Sequence, residues 1–463
     1  MRRTLFLLKN VSDFAPGAFE NTAVEDGSVQ LGRSAGTYLH SGCYTSPAIQ
    51  VSPFLQLIPS WNASTPRGTA VEVQVRVAAG GSWSRWFGFG KWSPFIRRGS
   101  PPPQADEIAK TEGELLQVEQ GAPADMAQVR IFLYSDDQMV SPKVQLLAVS
   151  IKPLREEERE ASRTERLLQI PAYSALVRDP AIANRIASPT SLSMLMNRWG
   201  KDTLPEEVAR AAYDAGAGKY GNLSFITAIA GSYGYECYMQ YTGVETLRQE
   251  VRRGNAAGAN VRYRAPALGE EEQEKEVPPG LAGLPVLEGA AADSHGHLLV
   301  VRGFVKRNDE EWVVLNDPLA PADSEVMKEM SLERFEKIYT GLCMVLHKGP
   351  KEAREAAPRR MVGEISQEGD DLQLTAHGEE IYPGKIKPKD ASLLTVCYTL
   401  PEGVAYASAA QKKFYYLAAD ENGRRRFDPR AMAGKKAAFY FIGNRGDTWV
   451  AEKEFPAAEP SGQ

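Results

Sequence analysis

Between Gly36 and about Leu154 the chain is written in short runs that alternate apolar and polar residues. Val71-Glu72-Val73-Gln74-Val75-Arg76-Val77 and Val129-Arg130-Ile131-Phe132-Leu133 are examples, and clusters of Gly, Pro, Ser and Asn separate them. A period of two puts one set of side chains on each face of an extended strand, and the frequent turns send the chain back on itself. An antiparallel β-sandwich is therefore expected over residues 1–154. A chain of 463 residues is too long for one ordinary core. With domains of about 100 to 200 residues, two to four units are expected, and the sequence divides best into three.

The first boundary falls at Arg155-Glu156-Glu157-Glu158-Arg159-Glu160, a solvated helical linker whose charges are spaced for ion pairs worth tenths of a kcal/mol each. Residues 165–349 open with mixed helix signals and close with strands, which predicts an α+β unit. Within it, Glu270-Glu271-Glu272-Gln273-Glu274-Lys275-Glu276 before Pro278-Pro279-Gly280 is expected to be a solvated loop, with a substrate groove beside it as the alternative. A charged stretch, Lys351 to Arg360, leads to a small all-β unit over 362–456. Its strands are expected at Leu394 to Tyr398, Phe414 to Ala418, Ala438 to Ile442 and Trp449 to Ala451, with a hairpin turn at Glu421-Asn422-Gly423. The fold class expected is thus a multidomain protein with an N-terminal β-sandwich, a central α+β unit and a small C-terminal all-β unit.

Composition narrows the partners. With 43% hydrophobic and 24% charged residues the chain reads as soluble and globular, and a net charge of -5 gives no electrostatic case for nucleic acid or anionic membrane. No segment approaches the roughly 18 apolar residues that span a bilayer, so membrane insertion is not expected. The run Leu5-Phe6-Leu7-Leu8 stops at Lys9, shorter than the about 7 to 15 residues of an export signal's apolar region. The expectation is a cytoplasmic chain, or an extracellular one if a leader is missing. Cys43, Cys237, Cys343 and Cys397 are far apart and without Cys-x-x-Cys spacing, so reduced, mostly buried thiols are expected, and neither a zinc or other metal site nor a disulfide framework. Trp83 and Trp86, three apart in Ser82-Trp83-Ser84-Arg85-Trp86, have two readings: a stacking platform for a glycan, or rings that cover the sandwich.

Chemistry concentrates in the central unit. In Arg185-Ile186-Ala187-Ser188-Pro189-Thr190-Ser191, Ser188 is read as a helix cap and Pro189 as the first helical residue, with Gly200 past the end. Leu192, Leu195, Met196 and Trp199 recur at i, i+3, i+4 and i+7, the buried stripe of an amphipathic helix. Downstream, Gly296-His297 leads one apolar strand and Asp317, in Asn316-Asp317-Pro318, ends another. If a hairpin pairs Phe304 near Glu310, His297 comes opposite Asp317, where side chains on one face sit about 5 Å apart. His295 is the alternative histidine, sharing a face with His297 in a regular strand.

These segments, with Trp199-Gly200, Gly221-Asn222-Leu223-Ser224 and Ser232-Tyr233-Gly234-Tyr235, resemble the papain-like cysteine peptidases related to the bacterial double-glycine-leader (bacteriocin-processing) enzymes. Their signature reads Cys-Ser-Pro-Thr-Ser where this chain has Ala187-Ser188-Pro189-Thr190-Ser191. The resemblance implies a papain-like fold for the central unit, peptide or isopeptide hydrolysis without a cofactor, His297 as general base and Asp317 as its orienter. Two departures accompany it. Ala187 stands at the nucleophile position, and Ala175 stands where the family has the oxyanion Gln. As written, the site lacks its nucleophile, and Ser188, one residue along, points about 100° away on a helix. Two origins fit: a natural pseudopeptidase that binds a peptide or protein without cutting it, or an active enzyme inactivated by substitution. The rival from another class is a binding protein whose Trp-rich first unit takes a glycan.

Overall fold

The computed structural model describes residues 4–119, 122–154, 165–266, 281–290, 293–351, 354, 360–368, 371–376, 379–382, 393–399, 413–417, 433–443 and 448–457. The charged linker at 155–160, the acidic run 270–276 with the prolines after it, and the turn at 421–423 lie outside the described residues. The chain is multidomain and β-rich.

Thirteen strands between Leu5 and Pro153 join in one antiparallel hydrogen-bonded network. The apolar run at the start of the chain belongs to it: Leu5–Leu8 pairs with Lys143–Pro153, Leu5 opposite Ser150. Alternation is kept along Thr69–Ala79, where Val71, Val73, Val75 and Val77 are fully buried while Glu72, Gln74 and Arg76 face outward. Trp61 and Trp92 lie in the core. Trp83 and Trp86 instead stand on the outer face, interleaved with arginines. The Arg76 guanidinium lies 4.5 Å from the Trp83 ring centre and 4.6 Å from that of Trp86, and Arg130 lies 4.3 Å from Trp86 and 5.0 Å from Phe132. Arg76 Nε donates to Gln128 Oε1 at 2.8 Å, so the guanidinium stacks on the rings while keeping a polar partner.

The central sheet has seven antiparallel strands. Six run in the order Glu236–Tyr241, Tyr339–His347, Ala257–Tyr263, Ser294–Arg307, Glu310–Asn316, Met327–Ser331, and Arg166–Leu167 adds to Ser294–Arg307. The hairpin expected between Ser294–Arg307 and Glu310–Asn316 is present, but its register differs. Phe304 pairs with Val313, because the turn is only Asn308-Asp309, both at positive φ (48° and 65°), and a bulge falls between Val301 and Gly303. Asn and Asp tolerate that left-handed backbone, so the polar stretch Lys306-Arg307-Asn308-Asp309-Glu310 closes more tightly than a five-residue loop would.

Glu236–Tyr241 is the edge of this sheet, and the first unit satisfies its free side. Cys237 N–H donates to Asn62 Oδ1 (2.9 Å), Met239 N–H to Ser60 Oγ (2.9 Å) and Tyr241 N–H to Ser150 Oγ (2.8 Å). Asn62 Nδ2 donates in return to Cys237 O at 2.8 Å and to Thr227 O at 3.1 Å. Ser60 and Asn62, two apart on strand Ile49–Ser64, share a face and meet every second backbone N–H of the edge. All three side chains are buried.

At the other end of the chain, Leu393–Thr399, Lys413–Leu417, Lys436–Gly443 and Thr448–Glu454 form a five-stranded sheet with Met361–Val362, close to where the alternation places them. Glu364–Glu368, Asp371–Ala376 and Glu379–Tyr382 form a separate three-stranded sheet. Arg360 Nη2 pairs with Glu207 Oε2 at 2.7 Å, and Tyr416 Oη donates to Glu206 Oε1 at 2.7 Å. Both glutamates are buried in the first turn of helix Pro205–Ala212, where the helix dipole favours negative charge.

Candidate active site

A short 3-10 turn, Ala183–Arg185, feeds helix Ala187–Asn197, and position 187 is the helix's first residue. Ser188 is not the cap. Ile186 holds that position with no side-chain bond, while Ser188 is the second helical residue and Pro189 the third. The preceding turn delivers the chain already coiled, which leaves a capping hydroxyl no place to act. Leu192, Leu195 and Met196 are buried as their spacing predicts, Trp199 packs partly buried against the core, and Gly200 follows the helix at φ 85°. Ala187 is half-buried.

Side chains one turn on tie this helix to the histidine strand: Ser191 Oγ donates to Leu298 O at 2.5 Å, next to His297. Ala175 N–H donates to Pro318 O at 2.7 Å, next to Asp317, and Ala175 shares a small apolar cluster with Ile186, next to Ala187. Ser174 N–H donates to Asp323 Oδ1 at 2.6 Å and its hydroxyl to Ala320 O at 2.5 Å, which holds that loop in place. Positions 175, 187, 297 and 317 are thus connected through immediate neighbours.

His297 is 5% exposed, and its Nε2 lies 3.7 Å from Asp317 Oδ1. That is an ion-pair distance, longer than a hydrogen bond. Asp317 reaches the ring although the register does not set the two directly opposite: Val300 pairs with Asn316, and Asp317 turns out of the strand, its Oδ1 accepting Leu319 N–H at 2.9 Å. Burial alone would raise the Asp317 carboxyl. The attraction of His297 and then of Lys328, whose Nζ donates to Oδ2 at 2.8 Å, outweighs it and holds the group well below the usual carboxylate range. The Tyr263 ring stands edge-on to the imidazole at 6.0 Å, and burial, then Asp317, pushes its hydroxyl up to about 12.

His295 does not share the face of His297. Gly296 has φ 132°, which side-chain-bearing residues rarely adopt, and this breaks the alternation so that His295 is exposed. The same kink brings Ser294 back onto the ring, its Oγ 2.8 Å from His297 Nδ1. Ser294, Tyr263 and Lys328 are site neighbours that sequence reasoning missed. The first had a local signal, a glycine directly before the histidine. The other two arrive from strands 34 residues before His297 and 11 after Asp317.

Of the cysteines, Cys43, Cys237 and Cys343 are free and buried. Burial pushes the Cys237 thiol far up and that of Cys343 up to about 12, so neither offers a displaced nucleophile. Cys397 lies in a strand. Among the described residues no group of three or more His, Cys, Asp or Glu is arranged to hold a metal, and no helix is long and apolar enough to cross a membrane.

Comparison with known proteins gives two family matches. Residues 6–151 match the Peptidase C39 N-terminal domain, and residues 167–343 match the Peptidase_C39 like family. No curated protein matches the chain. Among solved structures, a lectin from Bauhinia forficata in complex with GalNAc is 10% identical, with 33% of this chain and 99% of that chain covered and a TM-score of 0.19. Lectin I-B4 from Griffonia simplicifolia, in its metal-free form, is 12% identical, with 32% and 100% covered and a TM-score of 0.18. At such TM-scores the likeness carries no argument. Through these two stretches, then, the chain is similar to the C39-related peptidases.

Proposed function

We propose that the central unit is a papain-like cysteine-peptidase site whose nucleophile is missing, so that the chain as written holds a peptide or protein segment without cutting it. His297 is the general base, Asp317 its orienter, Ala187 the vacant nucleophile position and Ala175 the vacant oxyanion position. The observation that carries this reading is the buried His297–Asp317 pair joined, through Ser191 and Leu298, to a helix that begins at residue 187. A helix start favours an anion and would lower the pKa of a thiol placed there. With a thiol present, its proton passes to the imidazole, the thiolate attacks a peptide or isopeptide carbonyl, the amine leaves with that proton, and water releases the acyl group. A methyl group can do none of this. Loss of the nucleophile costs about a million-fold, and of one oxyanion donor about 10² to 10³.

The reading extends to the whole chain as three units, 1–154, 165–349 and 362–456, with the first a sandwich. The family matches and the separate sheets support that division. For the site the test is direct. Ala187→Cys together with Ala175→Gln is expected to restore labelling by a thiol-directed peptide probe, and His297→Ala in that background to abolish it. Labelling indifferent to His297 would end this reading. A glycan site at Trp83 and Trp86 has less support, since Arg76 and Arg130 already cover their rings.

A further inference from the structure

We infer that Ser294 is a positioning residue: its hydroxyl occupies the ring nitrogen of His297 that a nucleophile at position 187 would need, and keeps the site idle. The inference rests on the peptidase reading for its meaning, but its geometry stands apart from it. An imidazole has two nitrogens. Nε2 faces Asp317 Oδ1 at 3.7 Å, and because an ionised carboxylate attracts an N–H and repels a lone pair, the neutral tautomer favoured there carries its hydrogen on Nε2. Nδ1 is then a bare lone pair and the only atom able to take a nucleophile's proton. Ser294 Oγ lies 2.8 Å from it, within hydrogen-bond distance.

The same hydroxyl has a second acceptor, Val261 O at 3.2 Å, and itself accepts Gly296 N–H at 3.3 Å. It can therefore serve either charge state of the ring. Facing a neutral imidazole, it gives its proton to Nδ1; facing an imidazolium, it accepts Nδ1–H and turns its own proton to Val261 O. Ser294 is 3% exposed and sits within the strand, so it stays beside the ring. Any thiol at 187 has to compete with it. Gly296, by its φ of 132°, is what folds position 294 back to the position three residues on.

The test has two arms. In the unmodified full chain labelled with ¹⁵N-histidine, the His297 signals are assigned by their loss in His297→Gln. They should show Nδ1 unprotonated and hydrogen-bonded and Nε2 protonated. Ser294→Ala should shift Nδ1 towards a free nitrogen and Ser294→Thr should restore it. A protonated Nδ1 in the neutral ring, or no shift in Ser294→Ala, overturns the inference. In the second arm, iodoacetamide alkylation of Ala187→Cys near neutral pH should rise about tenfold when Ser294→Ala is added, roughly what one neutral hydrogen bond is worth. Equal or slower alkylation, with His297 dependence retained, overturns the competition. Thiols indifferent to His297→Ala in both backgrounds would instead sink the peptidase reading, and the nuclear magnetic resonance arm alone then decides on Ser294.

Discussion

At the scale of single residues, charge placement gives a prediction away from the site. His347 Nε2 lies 2.8 Å from Glu250 Oε2 and its Nδ1 3.6 Å from Glu236 Oε1, with Lys9 on Glu236 and Arg253 and Asn255 on Glu250. Interaction with the carboxylates of Glu236 and then Glu250 raises His347 to about 9. A histidine raised above its unfolded value of about 6.5 contributes stability that is complete below that pH and is lost as pH rises through the folded value. Chemical denaturation should therefore show a loss of about 1–2 kcal/mol between pH 6.5 and 9, after discounting for partial exposure. His347→Gln should flatten that slope; an unchanged slope would show that the cluster is not its source. What the sequence hid at this scale was partners. His297, Asp317 and the start of the helix at 187 could be read from motif spacing. The contact of Ser294 with the ring depends on one glycine dihedral, and Lys328 reaches Asp317 only because Met327–Ser331 lies beside Glu310–Asn316.

Elements were legible where local pattern decides them. The alternating runs became strands and the 3.6-period stripe became a helix, because burial on one face is enough to select each. Register was not legible. Counting back from an assumed turn missed the two-residue Asn308-Asp309 reversal and the bulge near Arg302, each of which moves every later pairing. The His297–Asp317 approach survives because Asp317 leaves its strand and reaches the ring from the turn. Between elements, the seam at Asn62 gives a sharper expectation. Replacing Asn62 with Ala leaves the N–H and C=O of Cys237 and the carbonyl of Thr227 short of buried partners, and should cost about 2–4 kcal/mol. Urea denaturation measures it; a loss below about 0.5 kcal/mol would mean water replaces the side chain without penalty.

Across the whole molecule, the last sheet meets the central unit through charge as well as through Ala438, Tyr440 and Ile442, which join the shared apolar core. Arg360 stacks 4.8 Å from the Tyr440 ring centre, pairs with Glu207, and reaches Asp202 Oδ2 at 3.3 Å. Arg360→Ala strands a buried carboxylate, at a cost of about 3–5 kcal/mol for a pair broken from one side. Limited proteolysis of that variant should release a fragment starting near residue 361 while the remainder resists; an unchanged digestion pattern would exclude this tether. The first unit is attached in part through backbone groups of strand Glu236–Tyr241, which among the described residues have no neighbouring strand on that side, and in part by packing such as Trp61 against Phe225. Cut away from Ser60, Asn62 and Ser150, that strand would present a bare row of amides to any passing chain, the usual seed of edge-to-edge aggregation. The peptidase-like portion expressed without its partner fold is therefore expected to precipitate, and the leading sheet acts as a built-in guard against self-association.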